Sequence, residues 1–572
     1  MLFGTLNSAE LSDNQIPKRA LLFCRCLVVC IIIGWLWYPL QAITTGSDAY
    51  LIRLYDDSFY YIVIARHILH NGFISFDGIT LTNGFQPLWL GVVGFVMFIT
   101  GGAGPAFFAT MFVLCGMIAY VTFELFLRLG KPMNMPGWIT LFLSILVAPH
   151  FTNMIMRIMD TAAVIPLQLL LILTIVRLES IEHIPAKKIV FIGVLSSVLI
   201  LARLETALFV ALLLLGWWII NREKISKKLT TIALFCIAGA PLAAYLAWNL
   251  IEFGSIFPVS MLAKSLKDTH LFSNTFFRTL IINKSLSNWL CCITVPIALV
   301  FLFIRRKYYL GERYSITKRI QWYVLFSGIA FPVIFYILLS VNSDWVILAW
   351  YFYPVPLTLF FSLYIIFLLY PTGRIREHTN ATTAQWAFIV VSIYAIFYIG
   401  HQIYIGETFY WTKGVCTPYD NARAIKTFSQ NHPGIYAMGD CCGITSYIMN
   451  VPVLQLEGFA ADANMVENIR RQRDLNAILR DYNVDYLIVS VWVNGGLPLT
   501  TDGCYIDTEP NHIAAGKHSL TMKGTICSPS ILNMYYPDEN GYTYLFPISS
   551  KAIAETSKDG ILTPEKIQTK IK

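Results

Sequence analysis

Two adjacent carboxylates, Asp56 and Asp57, follow the first apolar segment of the chain and precede the aromatic pair Tyr60 and Tyr61. Acidic side chains beside a bilayer are costly to keep there, and they usually do chemistry or bind ions. A carboxylate in this position can remove the proton of a hydroxyl nucleophile, more readily if burial raises its pKa. The pair therefore predicts an active site at the edge of a membrane.

The same residues also allow a structural interpretation, because acidic side chains favour the N-terminus of a helix. A helix beginning near Ser58 would be capped in this way. Capping requires neither two acids nor a place beside the bilayer, so we favour the functional interpretation. On such a helix the 3.6-residue period puts Asp56, Tyr60 and His67 on one face. For His67 alone, an ordinary interfacial role is the stronger interpretation.

The composition predicts a polytopic membrane protein. Of the 572 residues, 56% are hydrophobic and only 13% are charged, whereas soluble proteins carry roughly 25% charged residues. The mean hydropathy is +0.60. The net charge of +8 lies mostly in short loops between apolar runs, so it indicates membrane orientation and no nucleic-acid partner. The sequence contains no Walker A loop and no zinc-type cysteine spacing.

Loop charges predict the orientation, because short loops rich in lysine and arginine stay in the cytoplasm. Basic residues mark one set of loops: Lys18, Arg19, Arg128, Lys131, Lys187, Lys188, Arg222, Lys224, Lys227, Lys228, Arg305, Arg306, Lys307, Arg374 and Arg376. The outward loops are then 45–104, about 150–160, 203–205, 251–286 and 342–345. With a last span near 384–405, this gives about 11 transmembrane helices, a cytoplasmic N-terminus and an external tail. The short apolar run 87–101 is interpreted as re-entrant or interfacial.

Several cations and acids collect on the predicted outer face. They are Arg157 with Asp160, Arg203 with Glu205, and Lys264. Arginine offers a bidentate fork to a phosphate, so these cations are candidates for binding an anion. Alternatively, Arg157 pairs with Asp160 and Arg203 pairs with Glu205. The two interpretations remain open for each arginine.

The tail after residue 405 is less apolar, and its pattern predicts a small α/β domain over 406–572. Short strand-like runs alternate with helical stretches; the strands are 435–438, 453–456 and 486–491, with a helical stretch at 463–480. Five cysteines lie in the tail, and Cys504 with Cys527 is the first disulfide to test, although connectivity cannot be read from sequence. The turn at 439–443 lacks a dinucleotide fingerprint.

These motifs resemble the GT-C superfamily of integral-membrane glycosyltransferases. The resemblance rests on the acidic pair 56–57, the aromatic pair 60–61 and the phrase Thr-Asn-Gly-Phe-Gln-Pro-Leu-Trp at 82–89, and it is strongest to bacterial members. Segments 253–264 and 350–354 are similar to later landmarks of that group. The resemblance implies an inverting hexosyl- or pentosyltransferase in the bacterial inner (plasma) membrane. It would move a sugar from a polyprenyl-phosphate donor to an envelope glycan, lipid or protein on the outer face.

The resemblance also implies roles for individual residues. Asp56 would be the catalytic base, and Asp57 would orient the acceptor or help to bind a cation. Lys264, Arg203 and Arg157 would hold the lipid phosphate. The remaining members of the predicted substrate-binding set are Tyr60, His67, Asp160 and Glu205. Some relatives use a divalent metal and others do not, and Asp56 with Asp57 does not decide this.

Two positions depart from the family pattern. Asp160 stands where the group carries glutamate, and Phe352 stands where it carries arginine. The missing arginine shifts the phosphate role to the three remaining cations. Three other functions stay open: a flippase or transporter of lipid-linked sugars, a polymerase of lipid-linked glycans, and a membrane-anchored binding protein. A transporter would place its charges midway through the bilayer, whereas these charges lie at span ends.

Overall fold

The chain folds into an apolar helical part followed by a tail of mixed helices and strands. The computed structural model describes residues 18–178, 184–221, 228–268, 286–310, 316–345, 347–369, 389–390, 392–402, 404, 418–491, 500–510, 518–536 and 541–559. The helices of the first part are α1 (Lys18–Thr44), α2 (Asp56–Asn71), α3 (Pro87–Thr100), α4 (Pro105–Gly130), α5 (Gly137–Ile155), α6 (Thr161–Arg177), α7 (Ala186–Ala202), α8 (Thr206–Asn221), α9 (Lys228–Phe253), α10 (Val259–Ser265), α11 (Leu286–Leu310), α12 (Ile316–Asn342) and α13 (Val355–Leu369).

Seven helices in the described part of the chain are long and apolar enough to cross a bilayer. They are α1, α4, α5, the 232–253 part of α9, the 287–304 part of α11, the 319–342 part of α12, and the segment 349–367 that contains α13. Helices α3, α6 and α8 are shorter and apolar. The protein is therefore a multi-pass membrane protein. The count of about 11 crossings remains a prediction, and the last predicted span lies partly outside the described residues, with 392–402 helical.

Helix α2 begins with the acidic pair of the predicted site, and helix α3 follows it along the chain. Proline at position 87 lacks a backbone N–H, which suits the first turn of a helix, and α3 begins there. Its 14 residues span about 21 Å, which is less than a bilayer core of about 30 Å. The re-entrant or interfacial interpretation of 87–101 remains a prediction.

The tail is built on a five-stranded sheet with the strand order β2-β1-β3-β7-β6. Its strands are β1 (Tyr436–Met438), β2 (Val453–Gln455), β3 (Tyr486–Val491), β6 (Leu532–Tyr536) and β7 (Gly541–Pro547), and a separate hairpin is formed by β4 (Tyr505–Glu509) and β5 (Met522–Ile526). Strands β2, β1 and β3 are parallel to one another, and β7 runs antiparallel to both of its neighbours, β3 and β6. The helices are α14 (Pro418–Ser429), α15 (Cys442–Met449), α16 (Ala463–Arg470), α17 (Leu475–Asp481) and α18 (Ser550–Asp559).

Two details of the tail bear on the sequence predictions. The helical stretch expected at 463–480 is divided into α16 and α17, because Gln472 has a left-handed backbone and Asp474 restarts the helix by accepting a hydrogen bond from the Ala477 N–H. The single-helix prediction was wrong at this break. The predicted disulfide between Cys504 and Cys527 is confirmed, with an S–S distance of 2.08 Å.

The tail packs directly on the loops that carry the candidate site. The Tyr447 hydroxyl donates to the Ala103 carbonyl at 2.7 Å, and the His518 N–H donates to Asp344 at 2.7 Å. Gly84 lies so close to the tail that a Cβ placed on it would be 1.9 Å from the carbonyl oxygen of Phe459. Glycine is therefore required at position 84 for this contact, which explains the Thr-Asn-Gly phrase in physical terms.

Candidate active site

A narrow cavity of about 60 Å³ lies where α2, α10 and the tail meet. It is lined by Asp57, Tyr60, Tyr61, Gly84, Phe85, Gln86, Met159, Asp160, Arg203, Ser260, Lys264, Trp350, Tyr351 and Phe459. Four of the predicted site residues, Tyr60, Asp160, Arg203 and Lys264, thus share one cavity with one member of the acidic pair. A cavity of this size has room for only a few water molecules.

Asp57 is the acidic residue of the pair that faces this cavity. Among the residues that the structure describes, none donates a hydrogen bond to its carboxylate. Burial raises the pKa of Asp57 to about 6, and the positive charge of Lys264 opposes that rise. An unbonded carboxylate with a raised pKa is suited to accept a proton from a bound molecule.

Lys264 is the cation of the cavity that lacks an acidic partner. Its Nζ donates to the Tyr351 hydroxyl at 3.2 Å and lies 4.5 Å from the centre of the Phe459 ring. No carboxylate of the described residues lies within ion-pair distance of this nitrogen. Aromatic neighbours stabilise a cation without neutralising its charge, so Lys264 keeps its charge for an anionic ligand.

Arg203, by contrast, is already paired. Its guanidinium lies 3.2 Å from Asp160 and also bonds Glu205, and all three groups are largely enclosed. The alternative interpretation of Arg203 and Glu205 as a structural pair is therefore confirmed, with Asp160 as a further partner. Removing one member of such a group leaves an uncompensated charge, so these residues stabilise the cavity wall.

Arg157 does not pair with Asp160. Its guanidinium donates to the carbonyl of Arg53 and lies 4.8 Å from the centre of the Tyr55 ring. The ring of Tyr55 in turn lies 5.1 Å from that of Trp350, a lining residue of the cavity. Arg157 therefore lies behind the cavity wall, and it does not line the cavity.

His67 also lies away from the cavity. Its Nδ1 is 3.0 Å from the Ser75 carbonyl oxygen, and its Nε2 would lie 3.4 Å from a Cβ placed on Gly78. Eleven residues of helix separate His67 from Asp56, a rise of about 16 Å. A shared helix face therefore does not bring the two side chains into one site, whereas Tyr60 is near enough to line the cavity.

Asp56 faces the tail and caps a helix, although not its own. Its two carboxylate oxygens accept hydrogen bonds from the backbone N–H groups of Gly443 and Ile444, at 2.9 and 2.8 Å. These groups begin α15, which lies 387 residues later in the chain. Burial raises the pKa of Asp56 to about 7, although both backbone hydrogen bonds act to lower it.

Arg66 holds the opposite end of the same helix. Its guanidinium donates to the carbonyls of Tyr447 and Ser446, at 3.2 and 3.4 Å. The two ends of a helix carry opposite partial charges, positive at the N-terminus and negative at the C-terminus. Helix α2 thus places a carboxylate and a guanidinium at the ends of α15 that favour each, and we call this arrangement the α15 clamp.

The α15 clamp leads to a testable expectation. Asp56→Asn should raise hydrogen–deuterium exchange of the amides of α15 by at least about tenfold, because a hydrogen bond to a charged group contributes about 1.5–3 kcal/mol. The measurement is exchange mass spectrometry of the protein in nanodiscs. Glu467→Gln, on the exposed face of α16, is the control and should leave α15 unchanged. If the exchange of the α15 amides is unaltered in Asp56→Asn, the α15 clamp does not stabilise that helix.

Some residues of the site were not predicted from the sequence. Tyr351, Phe459 and the buried Glu457 are contributed by a short helical turn (Ala349–Phe352) and by the loop after β2. The aromatic run 350–354 was noted as a belt or a groove, which is a usable signal. Glu457 gives a weaker signal, a lone carboxylate between a strand and a glycine.

The acidic residues near the cavity do not form a preformed metal cluster. No group of three or more His, Cys, Asp or Glu side chains in the described ranges converges to hold a metal ion. Both oxygens of Asp56 are occupied by backbone N–H groups, and Lys264 brings positive charge beside Asp57. Magnesium and calcium are bound through six or more oxygen atoms, which include those of water and substrate phosphate. Asp57 is therefore the member of the acidic pair that would hold such an ion.

None of the protein-family models matches the sequence, and no curated protein is similar to it. The fold, however, resembles solved structures. The Archaeoglobus fulgidus oligosaccharyltransferase in its apo form has a TM-score of 0.51 at 12% identity, covering 84% of this chain and 70% of that chain. The archaeal enzyme in complex with an inhibitory peptide and a dolichol-phosphate has a TM-score of 0.51 at 10% identity, covering 82% and 69%.

ArnT from Cupriavidus metallidurans bound to undecaprenyl phosphate gives a TM-score of 0.49 at 12% identity, covering 91% of this chain and 99% of that chain. At these identities the likeness concerns the fold. The fold of the archaeal enzyme agrees with the resemblance that the acidic pair and the 82–89 phrase indicate. The chain therefore shares its fold with the archaeal oligosaccharyltransferase over most of its length.

Proposed function

We propose that this protein transfers a sugar from a polyprenyl-phosphate donor to an acceptor hydroxyl, with Asp57 as the general base. One observation carries the proposal: an unbonded carboxylate, Asp57, shares a small cavity with a lysine that lacks an acidic partner among the described residues. A base and a cation in one site are what a displacement with a phosphate leaving group requires. The GT-C fold supports the same class of reaction.

The reaction proceeds as a single displacement. The acceptor oxygen attacks the anomeric carbon of the donor while the bond from that carbon to the phosphate oxygen breaks. Asp57 takes the acceptor proton, and polyprenyl phosphate leaves with the bonding electron pair. Lys264 stabilises the negative charge that grows on the leaving phosphate. Attack opposite the leaving group inverts the anomeric configuration.

An apolar groove beside the cavity supports the assignment of a polyprenyl-phosphate donor. The groove, of about 810 Å³, runs between α3 and α4 and begins at Pro87 and Leu88, directly after Gln86 of the cavity. Several of its side chains are exposed, among them Phe95 and Met117. A polyprenyl tail could lie there with its phosphate near Lys264. The archaeal neighbour was solved with a dolichol-phosphate, a lipid of the same chemical class.

The sugar would lie against aromatic walls. Tyr60, Tyr61, Trp350 and Tyr351 line the cavity, and binding sites for small molecules are commonly lined by such rings. Those sites enclose about 300–1,000 Å³, so the cavity of about 60 Å³ must widen to admit a substrate. One wall of the cavity, Phe459, belongs to the tail, and displacement of this ring would widen the cavity.

An extracytoplasmic location is proposed for the reaction. The tail contacts segments near Asp56, Gly84, Ala103, Ala263 and Asp344, which belong to the loops that the charge distribution assigns to the outer face. A tail on that side would meet envelope acceptors in the periplasm or outside the cell.

The pH dependence follows from the base. Asp57 must be ionised to accept a proton, and its pKa is about 6. Single-turnover transfer should therefore be constant above neutral pH and should fall about tenfold for each pH unit below about 6. Rates measured in proteoliposomes between pH 5 and pH 8 test this. A rate that is unchanged down to about pH 5 would exclude Asp57 as the base.

The transfer itself is tested in two ways. Purified protein in proteoliposomes is incubated with radiolabelled polyprenyl-phosphate sugars and envelope extracts, and release of polyprenyl phosphate with labelling of a glycan is expected. Glycan mass spectrometry of cells with and without the gene gives the mass of the sugar and the acceptor fraction. No lost mass in any envelope fraction, together with no turnover of the donor, would refute the proposal.

A further inference from the structure

The tail places the carboxyl group of Glu457 at its contact surface with the membrane part, which we call the seam. The proposed transfer reaction does not use this group. Glu457 is 3% exposed. One of its oxygens accepts a hydrogen bond from the Gln455 side chain at 3.2 Å, and the other, Oε1, is buried and has no partner in the described structure. A buried carboxyl oxygen without a donor is costly, and a partner from outside the protein would remove that cost.

The position of Glu457 in the sheet is typical of ligand sites. Strands β1 and β2 are parallel, and their carboxyl ends lead into Gly439–Asp440 and into Glu457. In open α/β sheets, ligands bind beside the carboxyl ends of the strands. Here that edge of the sheet faces the membrane part, because the loops that follow β1 and β2 contain the contacts to Asp56 and to Gly84.

The loop that carries Glu457 packs against α10, the helix of Lys264. Gly458 has a left-handed backbone, with φ +80°, and a Cβ there would lie 3.2 Å from that of Ala263 on α10. The next residue, Phe459, lines the cavity and contacts Lys264. Glu457 therefore lies two residues from Phe459 of the cavity wall, near enough for Asp57 and Lys264 to act on its charge.

The charge at this seam is predominantly negative. Burial raises the pKa of Glu457 well above its usual value, the negative charges of Asp440, Asp56 and Asp57 add to that rise, and Lys264 opposes it. Arg203 is neutralised by Asp160 and Glu205. A donor phosphate at Lys264 would make the seam more negative, so a ligand beside Glu457 must bring hydrogen-bond donors and no further negative charge.

We propose that Glu457 determines acceptor specificity: when Phe459 moves aside, Oε1 binds a donor group of the incoming acceptor and prefers an amino group to a hydroxyl group. This inference rests on the proposed function, since it names the acceptor class of that transfer. Amino-bearing and neutral sugars fit the seam, whereas sugars that carry a carboxylate or a phosphate there do not.

The test measures binding and does not depend on turnover. The full-length protein is placed in nanodiscs that contain polyprenyl monophosphate, and methyl glucosaminide, methyl glucoside and methyl glucuronide are titrated by saturation-transfer NMR. The amino sugar should bind at least about tenfold more tightly than the neutral one, and the glucuronide should not bind. In Glu457→Gln this preference should shrink to about twofold or less, because the amide cannot ionise, whereas the carboxyl can lose its proton when an ammonium group binds beside it.

Controls separate this specificity role from a structural one. Glu457→Gln should bind polyprenyl monophosphate as the unchanged protein does, and Glu467→Gln, a carboxylate on the exposed face of α16, should keep the amino preference. Glu457→Asp provides a second variant if Glu457→Gln does not fold. Tight binding of the glucuronide, binding of none of the three sugars, or a preserved preference in both variants would overturn the proposal. A protein that shows the preference but transfers no sugar would refute the proposed function alone.

Discussion

Replacement of Asp57 by asparagine is expected to lower sugar transfer by about 10²–10⁴-fold, while the protein remains folded and binds polyprenyl phosphate. The size follows from the loss of a positioned general base. Asparagine keeps the shape of the side chain but cannot take a proton. Single-turnover transfer in proteoliposomes measures the loss, and binding of polyprenyl monophosphate measures the intact donor site.

The neighbouring acid provides the matched comparison for that experiment. Asp56→Asn removes a carboxylate one residue away, but that carboxylate binds α15 and does not line the cavity. It should loosen α15 and impair transfer without changing the pH at which the rate falls. If Asp56→Asn abolishes transfer and Asp57→Asn does not, the roles are reversed and the assignment from the sequence resemblance is restored.

Replacement of Lys264 by alanine should impair donor use by about 10²–10³-fold, because the cavity would lose the cation that stabilises the leaving phosphate. The loss should appear in the donor KM and in kcat, with little change in the acceptor KM. Lys264→Arg should recover part of the activity, since it restores the charge but not the compact shape. Steady-state kinetics with donor and acceptor varied separately measure this pattern.

Lys267 is the control for this experiment. It lies three residues further along the chain, donates to the Val341 carbonyl at 2.5 Å and is absent from the cavity lining. Lys267→Ala should leave both KM values unchanged. Equal effects of Lys264→Ala on donor and acceptor would instead indicate that Lys264 supports the cavity wall through its contact with Phe459.

Local sequence patterns predicted the helices and strands whose formation depends on neighbouring residues. The helix that follows the acidic pair and the apolar strand 486–491 lie where the sequence predicts them, although the helix begins at Asp56 and not at Ser58. These features depend on side-chain period and on backbone constraints, and both can be read from a short window.

The surroundings that the side chains of Asp56 and Asp57 face could not be predicted in the same way. Consecutive residues of a helix point about 100° apart, so Asp56 and Asp57 necessarily face different surroundings. The partner of Asp56 is the N-terminus of α15, which lies 387 residues away in the chain. No local pattern indicates such a contact, and the resemblance treats the two acids as one motif.

Glu457 was overlooked for a related reason. Its surroundings are set by the seam between the tail and the membrane part, where Phe459 meets Gly84 and Lys264. The pairing of Arg203 with Asp160 is similar, because these two residues lie 43 positions apart in the chain. Long-range contacts between loops decide these environments, and sequence spacing does not encode them.

The α15 clamp also sets the order in which the active site is completed during biosynthesis. The ribosome makes the membrane part first, and α2 is synthesised hundreds of residues before Gly443, Ile444 and Phe459. A nascent chain at that stage lacks the backbone N–H groups that bind Asp56 and the ring that contacts Lys264. Under the proposed function, transfer therefore begins only after the tail has folded against α2, and unfinished chains do not consume lipid-linked sugar.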